Sequence, residues 1–172
     1  MLAYSSIAHA GFLLTGILAL NQSGITSSLF YLASYGLTTL GAFALVSLIR
    51  DSAGEVTDLN RWVGLAKRSP LIATIFSLFL LSFAGIPLTA GFIGKFTIFS
   101  AAYENGNIAV VVVGVLSSAI AAFFYIRVIV MMFFADPESD SVSVVIPSKF
   151  TITVIWIAAI GTLLLGIYPT PI

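Results

Sequence analysis

Lys95 stands in an apolar stretch, Phe92 to Ala102, just after Gly85-Ile86-Pro87-Leu88-Thr89-Ala90-Gly91. A lysine at membrane depth costs about 2.5–3.5 kcal/mol on insertion scales, so its presence there needs a reason. Desolvation penalises its charged form, which lets such an amine load and release a proton near neutral pH. The preceding run reads as a helix break. Pro87 removes a backbone donor and clashes with the turn before it, and Gly85 and Gly91 weaken the helix on either side. Broken helices persist in membranes where protein or water satisfies the freed backbone groups, and in transporters such breaks line ion sites. The structural alternative is that Lys95 snorkels to an interface or neutralises a carboxylate on another chain.

His9 follows Ser5 and Ser6 on the first apolar segment. Histidine titrates near pH 7 unperturbed, so His9 is a second candidate for passing protons. It is equally readable as a neutral ring hydrogen-bonded to a facing helix. Arg127 lies inside a later apolar span and stays charged. It reads either as a fixed charge tuning Lys95 or as a side chain snorkelling outward. Tyr4, Tyr31, Tyr35, Thr38 and Thr39 are candidates to line a wet path, and Tyr31, Tyr35 and Thr39 share one helical face by i, i+4, i+8 spacing. Packed polar aromatics are also common simple helix contacts. Glu104 reads as a loop residue.

The elements that must position these groups follow from composition. Of 172 residues, 59% are hydrophobic and 8% charged, against about a quarter charged in soluble domains. The lipid bilayer is the solvent that suits such a chain. Seven basic and seven acidic residues cancel, which gives no footprint for nucleic acid. With no cysteine and one histidine, thiolate-held clusters, a His-rich metal site and paired haem ligands are all excluded. Any redox chemistry belongs to another chain. No Gly-rich phosphate loop, paired carboxylates or nucleophile–base pair is present, so an enzyme acting alone is not expected. The chain opens inside an apolar run with no basic n-region or cleavage pattern, which reads as a fragment rather than a signal peptide.

The uncharged stretch from Met1 to Ile49 divides at Asn21-Gln22-Ser23-Gly24 into helices at about 1–20 and 27–50. A polar loop carrying Arg50, Asp51, Glu55, Asp58, Arg61, Lys67 and Arg68 follows, with Trp62 suited to the membrane interface. Next come the broken segment, about 70–103, and spans at about 108–134 and 150–168. Asp136-Pro137-Glu138-Ser139-Asp140 forms the last loop, and Pro169 and Pro171 close the chain. Gly36, Gly41, Ala42, Ser117, Ser118 and Ala122 suit close helix packing. Overall this predicts one all-α integral membrane domain over 1–172, a bundle of about five transmembrane helices including one broken helix. If 70–103 crosses once, Arg50, Arg61, Lys67, Arg68 and Lys149 all fall on one side. The positive-inside rule then makes the loops at about 51–69 and 135–149 cytoplasmic. Two separate crossings would move Lys149 to the other side.

Two stretches carry a resemblance. Leu2-Ala3-Tyr4-Ser5-Ser6-Ile7-Ala8-His9-Ala10-Gly11 is similar to a helix of the antiporter-like subunits of respiratory complex I. Ser82 to Phe96, reading SFAGIPLTAGFIGKF, resembles that family's broken helix. Other branches of the family carry histidines on the helix aligned with 27–50. Here Tyr31 and Tyr35 stand in comparable places, so the resemblance is closest to the N-type branch. It implies part of a fourteen-helix fold with two inverted repeats, this chain being the latter part of the second repeat and the C-terminal end. It maps the family's central lysine onto Lys95 and its helix histidine onto His9. The family's glutamate and lysines of the first repeat would lie upstream. It implies proton translocation in the membrane arm of a bacterial NADH–quinone oxidoreductase, multi-pass in the inner membrane. Neighbouring antiporter-like and small subunits would be the partners, and NADH, FMN, iron–sulfur clusters and quinone would sit on other subunits. A subunit of a multi-subunit cation/proton antiporter is the alternative, and a non-transporting scaffold with Lys95 as a structural ion pair is a third.

Overall fold

A computed structural model describes residues 1–51, 54–55, 58–136, 143–144 and 148–169. Helix α1 runs Leu2–Ile17 and α2 runs Gln22–Val46. The second begins earlier than hydropathy alone predicts because Asn21 caps it, its side chain accepting the Gly24 N–H at 2.7 Å. Strands β1 (Ile49–Asp51) and β2 (Gly54–Glu55), a 3₁₀ turn (Leu59–Trp62) and the short helix α3 (Leu65–Arg68) follow. Then come α4 (Pro70–Ala84), α5 (Ala90–Glu104), α6 (Ile108–Phe134), β3 (Ser143–Val144) and α7 (Lys149–Ile167). Proline at the first position of α4 suits a helix start, where its missing N–H would have no partner. Ser148 caps α7 by accepting the Thr151 N–H at 3.1 Å. Pro137, Glu138, Ser139, Asp140 and Pro171 lie outside the described residues.

Five helical rods run between the two ends of the bundle, α1, α2, the α4–α5 pair, α6 and α7, and among the described residues α2, α6 and α7 are each long and apolar enough to cross a membrane. The pair counts once, because its two ends lie at opposite ends of the bundle. At one end β1 pairs antiparallel with both β2 and β3, with Ile49 opposite Val144, which ties the 50–69 and 135–149 loops together. The Gly64 N–H also donates to the Met131 carbonyl at 3.1 Å there. At the other end Asn107 Nδ2 donates to the Leu18 carbonyl at 3.3 Å. The basic residues of the two loops therefore share one side. The strands themselves were not expected from the sequence; their segments are too short and too mixed in polarity to show a strand period.

At the strand end, Lys67 and Asp136 form an exposed ion pair. Hydrogen bonding and then charge attraction from the Lys67 ammonium hold the Asp136 carboxyl below its usual range. The sign follows: this pairing is present above the unfolded carboxylate value of about 4 and is lost as pH falls below it. Thermal unfolding in detergent should thus give the same wild-type minus Asp136→Asn difference throughout pH 5–8. A difference that changes within that window would contradict the assignment.

The larger apolar core lies between α2, α4, α6 and α7, around Leu45, Phe76, Phe79, Leu80, Met132 and Ile155. Trp62 corrects an expectation. It is 4% exposed and stacks obliquely on Phe76 at 4.9 Å between ring centroids, so it is core rather than interfacial anchor. The 3₁₀ turn brings it against Phe76, near the middle of α4. Trp62→Ala should cost about 3–5 kcal/mol, read as a lower unfolding midpoint. Gly41 and Ala42 serve the close packing read from their size, since a Cβ on Gly41 would lie 2.5 Å from Ala158 and Phe79. Gly36 does not, having nothing within 4 Å of that position. Thr38 of α2 and Thr162 of α7 face each other at 3.2 Å, both buried.

Candidate proton-handling site

The break between α4 and α5 is built from its sequence. Gly85 adopts φ +80°, a left-handed conformation that glycine takes without steric cost. Its N–H donates to Ser82 and Leu81, and the Ile86 N–H reaches back to Leu81, closing α4 in a Schellman arrangement. In a continuous helix the Phe83 carbonyl would accept from residue 87, but that residue is proline. The Ala84 carbonyl would accept from Leu88, which has left the helix at φ +72°. Two carbonyls are thus left facing the gap.

Lys95 fills it. Its Nζ donates to the Phe83 carbonyl at 2.7 Å, the Ala84 carbonyl at 3.3 Å and Ser118 Oγ on α6 at 2.9 Å. Three acceptors match the three N–H donors of an ammonium. The Phe12 ring adds a fourth favourable contact, with Nζ 4.9 Å from its centroid. Lys95 is 4% exposed, and among the described residues no carboxylate pairs with it. Burial at this depth sets aside the snorkelling alternative for Lys95, because its ammonium does not reach outward. The broken helix is held shut at Gly91, whose N–H donates to Ser82 Oγ at 3.2 Å.

His9 is 2% exposed and lies next to this site. Phe12 and Phe83 touch both residues: Phe12 meets the imidazole edge-on at 5.7 Å, and the Phe83 ring lies 5.5 Å from it. His9 Nδ1 is hydrogen-bonded to the Tyr31 hydroxyl, and its ring stacks on Tyr35 at 4.4 Å. On the other side the Tyr125 hydroxyl lies 3.5 Å from Nε2 and is hydrogen-bonded to Ser5. Tyr35 donates to Ser6 Oγ at 3.0 Å. A line of exchangeable protons thus runs Ser5, Tyr125, His9, Tyr31 across three helices. An open apolar cavity of about 470 Å³ between α1 and α6 reaches Ser5 and Tyr125 at its end.

The remaining candidates separate. Tyr31 and Tyr35 join His9, but Thr39 lies further along α2, its buried hydroxyl oxygen without a partner among the described residues. Tyr4 is 81% exposed on the outer face of α1, at the rim of the cavity. Arg127 is exposed on the outer face of α6, away from Lys95, because it stands two residues from buried Tyr125 and so turns to the opposite side. Glu104 is exposed at the end of α5, as its loop reading implies. Two partners escaped the sequence. Tyr125 lay in an aromatic run with nothing to single it out, and Ser118 read as a small packing residue. The structure shows it on the same side of α6 as buried Gly114, four residues before it, which composition alone does not mark.

The sequence model of the NADH:quinone oxidoreductase/Mrp antiporter transmembrane family matches residues 1–121, which include the helix histidine, the break and Lys95. The chain belongs to this family. NADH-quinone oxidoreductase subunit N of Rhodococcus opacus (strain B4) is 60% identical over 169 residues, covering 98% of this chain and 31% of that protein. The chain thus spans about a third of the length of the curated relatives it matches. A chain of respiratory complex I from Thermus thermophilus with bound aureothin superposes with TM-score 0.84 at 32% identity, over 98% of this chain and 37% of that one. A chain of the Mrp complex from Dietzia sp. DQ12-45-1b superposes with TM-score 0.81 at 21% identity, over 99% and 40%, a likeness of fold alone. The antiporter-like fold expected from the two motifs is the observed one, and the N-type branch is the one its high-identity relatives carry in their names.

Proposed function

We propose that this chain is the C-terminal part of a subunit N that moves protons through the membrane arm of a bacterial NADH–quinone oxidoreductase. The observation that carries the reading is Lys95: a buried amine held by two helix-break carbonyls and a hydroxyl, with no acid paired to it among the described residues. A cation held by neutral groups can become neutral without stranding a partner charge, which a buried ion pair cannot. The tyrosine–histidine line ends beside Lys95 across Phe12 and Phe83, so protons would pass between them through water, and leave Lys95 as charge elsewhere in the arm rearranges. NADH, FMN, iron–sulfur clusters and quinone belong to other subunits, and neighbouring antiporter-like and small subunits are the partners. The side bearing Arg50, Arg61, Lys67, Arg68 and Lys149 faces the cytoplasm under the positive-inside rule.

The assignment is tested on a native gel of mildly solubilised membranes, probed for this chain and stained for NADH dehydrogenase activity. Comigration with a very large active band is expected. A small band, or a large one without NADH activity, would overturn it. A second reading, a subunit of a multi-subunit cation/proton antiporter, draws on the family itself, whose description names both systems. Sodium-dependent transport without NADH would favour it.

A further inference from the structure

The three partners of Lys95 are not equivalent. The Phe83 and Ala84 carbonyls can only accept, so they hold the ammonium and offer nothing to the neutral amine. The Ser118 hydroxyl can accept from an ammonium and also donate to an amine. Ser118 is half-buried, and it lines a cavity of about 330 Å³ between α5 and α6 that also reaches Lys95 and Gly85. The other protic groups near Lys95 approach from elsewhere: His9 across Phe12 and Phe83, and Tyr31 against Gly94.

We infer that Ser118 is a relay residue through which Lys95 exchanges its proton with water in the α5–α6 cavity. This rests on the reading of Lys95 as the proton carrier. In the release step Lys95 Nζ gives a proton to Ser118 Oγ while Ser118 gives its own hydroxyl proton to a water molecule. The amine is left neutral, the serine is unchanged and the water becomes hydronium. The proton that Ser118 has taken up already points at the neutral amine, so the hydroxyl donates to it and keeps Lys95 seated in both states. The cavity walls supply no other protic side chain at this spot, being Phe92, Phe96, Phe99, Val115 and Ala119.

The test compares Ser118→Ala and Ser118→Thr in the assembled complex in sealed vesicles, reading protons moved per NADH oxidised. Alanine keeps the helix and removes the hydroxyl; threonine keeps both. The expected result is that proton movement through this chain falls about fivefold for Ser118→Ala, the weight of one hydrogen bond, read as a lower ratio for the complex, with Ser118→Thr close to wild type. Equal coupling in Ser118→Ala and wild type, while Lys95→Met is uncoupled, overturns the relay and leaves the carrier reading intact. Normal coupling in Lys95→Met removes the carrier and the relay together. Equal losses in the alanine and threonine variants, or failed assembly of Ser118→Ala, make the serine a packing contact and overturn the inference.

Discussion

Lys95→Met should lower proton movement through this chain by about tenfold or more, since it removes the group at the break that gains and loses a proton. Methionine matches the length and flexibility of the lysine stem, so the packing against Phe12 and Gly85 should survive. The cost is the unmet Phe83 and Ala84 carbonyls, which is borne where the 330 Å³ cavity lets water approach. Assembly should therefore persist, and the ratio of protons moved to NADH oxidised is the quantity to read. Unchanged coupling at normal assembly would leave Lys95 a structural cation and return the chain to the scaffold reading.

Gly91→Ala should strongly destabilise the fold at the break. A Cβ there would stand 1.9 Å from the Ser82 carbonyl oxygen and 2.7 Å from its carbon, both backbone atoms that no rotamer change can move. The two half-helices would have to part, breaking the Gly91 to Ser82 contact and pulling Lys95 from its carbonyls. Overpacking of this kind costs about 1–3 kcal/mol or more. Gly36→Ala is the control, since nothing lies within 4 Å of its added Cβ and alanine favours a helix. Membrane abundance and unfolding midpoint should fall for Gly91→Ala and hold or rise for Gly36→Ala. Identical behaviour of the two variants would contradict the close approach.

What the sequence revealed and what it hid have physical causes. The spans were legible because length and apolarity alone define a crossing, and the break was legible because proline and glycine act locally. Lys95 and His9 stood out as candidates because an ionisable group in an apolar run is costly, and the structure buries both and places them side by side. Tyr125 and Ser118 were not, because their importance comes from helices far apart in sequence meeting in space. Tyr125 reaches His9 across 116 positions of chain, and Ser118 matters only because α6 passes Lys95. Arg127 was costly by the same rule, yet it faces outward on α6, so cost alone marks a residue without saying which way it points. The strands escaped because pairings of two residues leave no period to read. Trp62 was misplaced because an aromatic beside a polar loop looks alike whether it anchors in headgroups or folds back onto a core.

The central claim is that Lys95 must lose its charge to work, and Lys95→Arg tests it most directly. Arginine keeps a positive charge at the break but does not give up its proton in a protein. Protons moved per NADH oxidised should be measured in sealed vesicles, on complexes shown to be assembled by native gel. The account predicts that Lys95→Arg is uncoupled to the same degree as Lys95→Met. Wild-type coupling in Lys95→Arg would mean that a fixed charge suffices, and would contradict it.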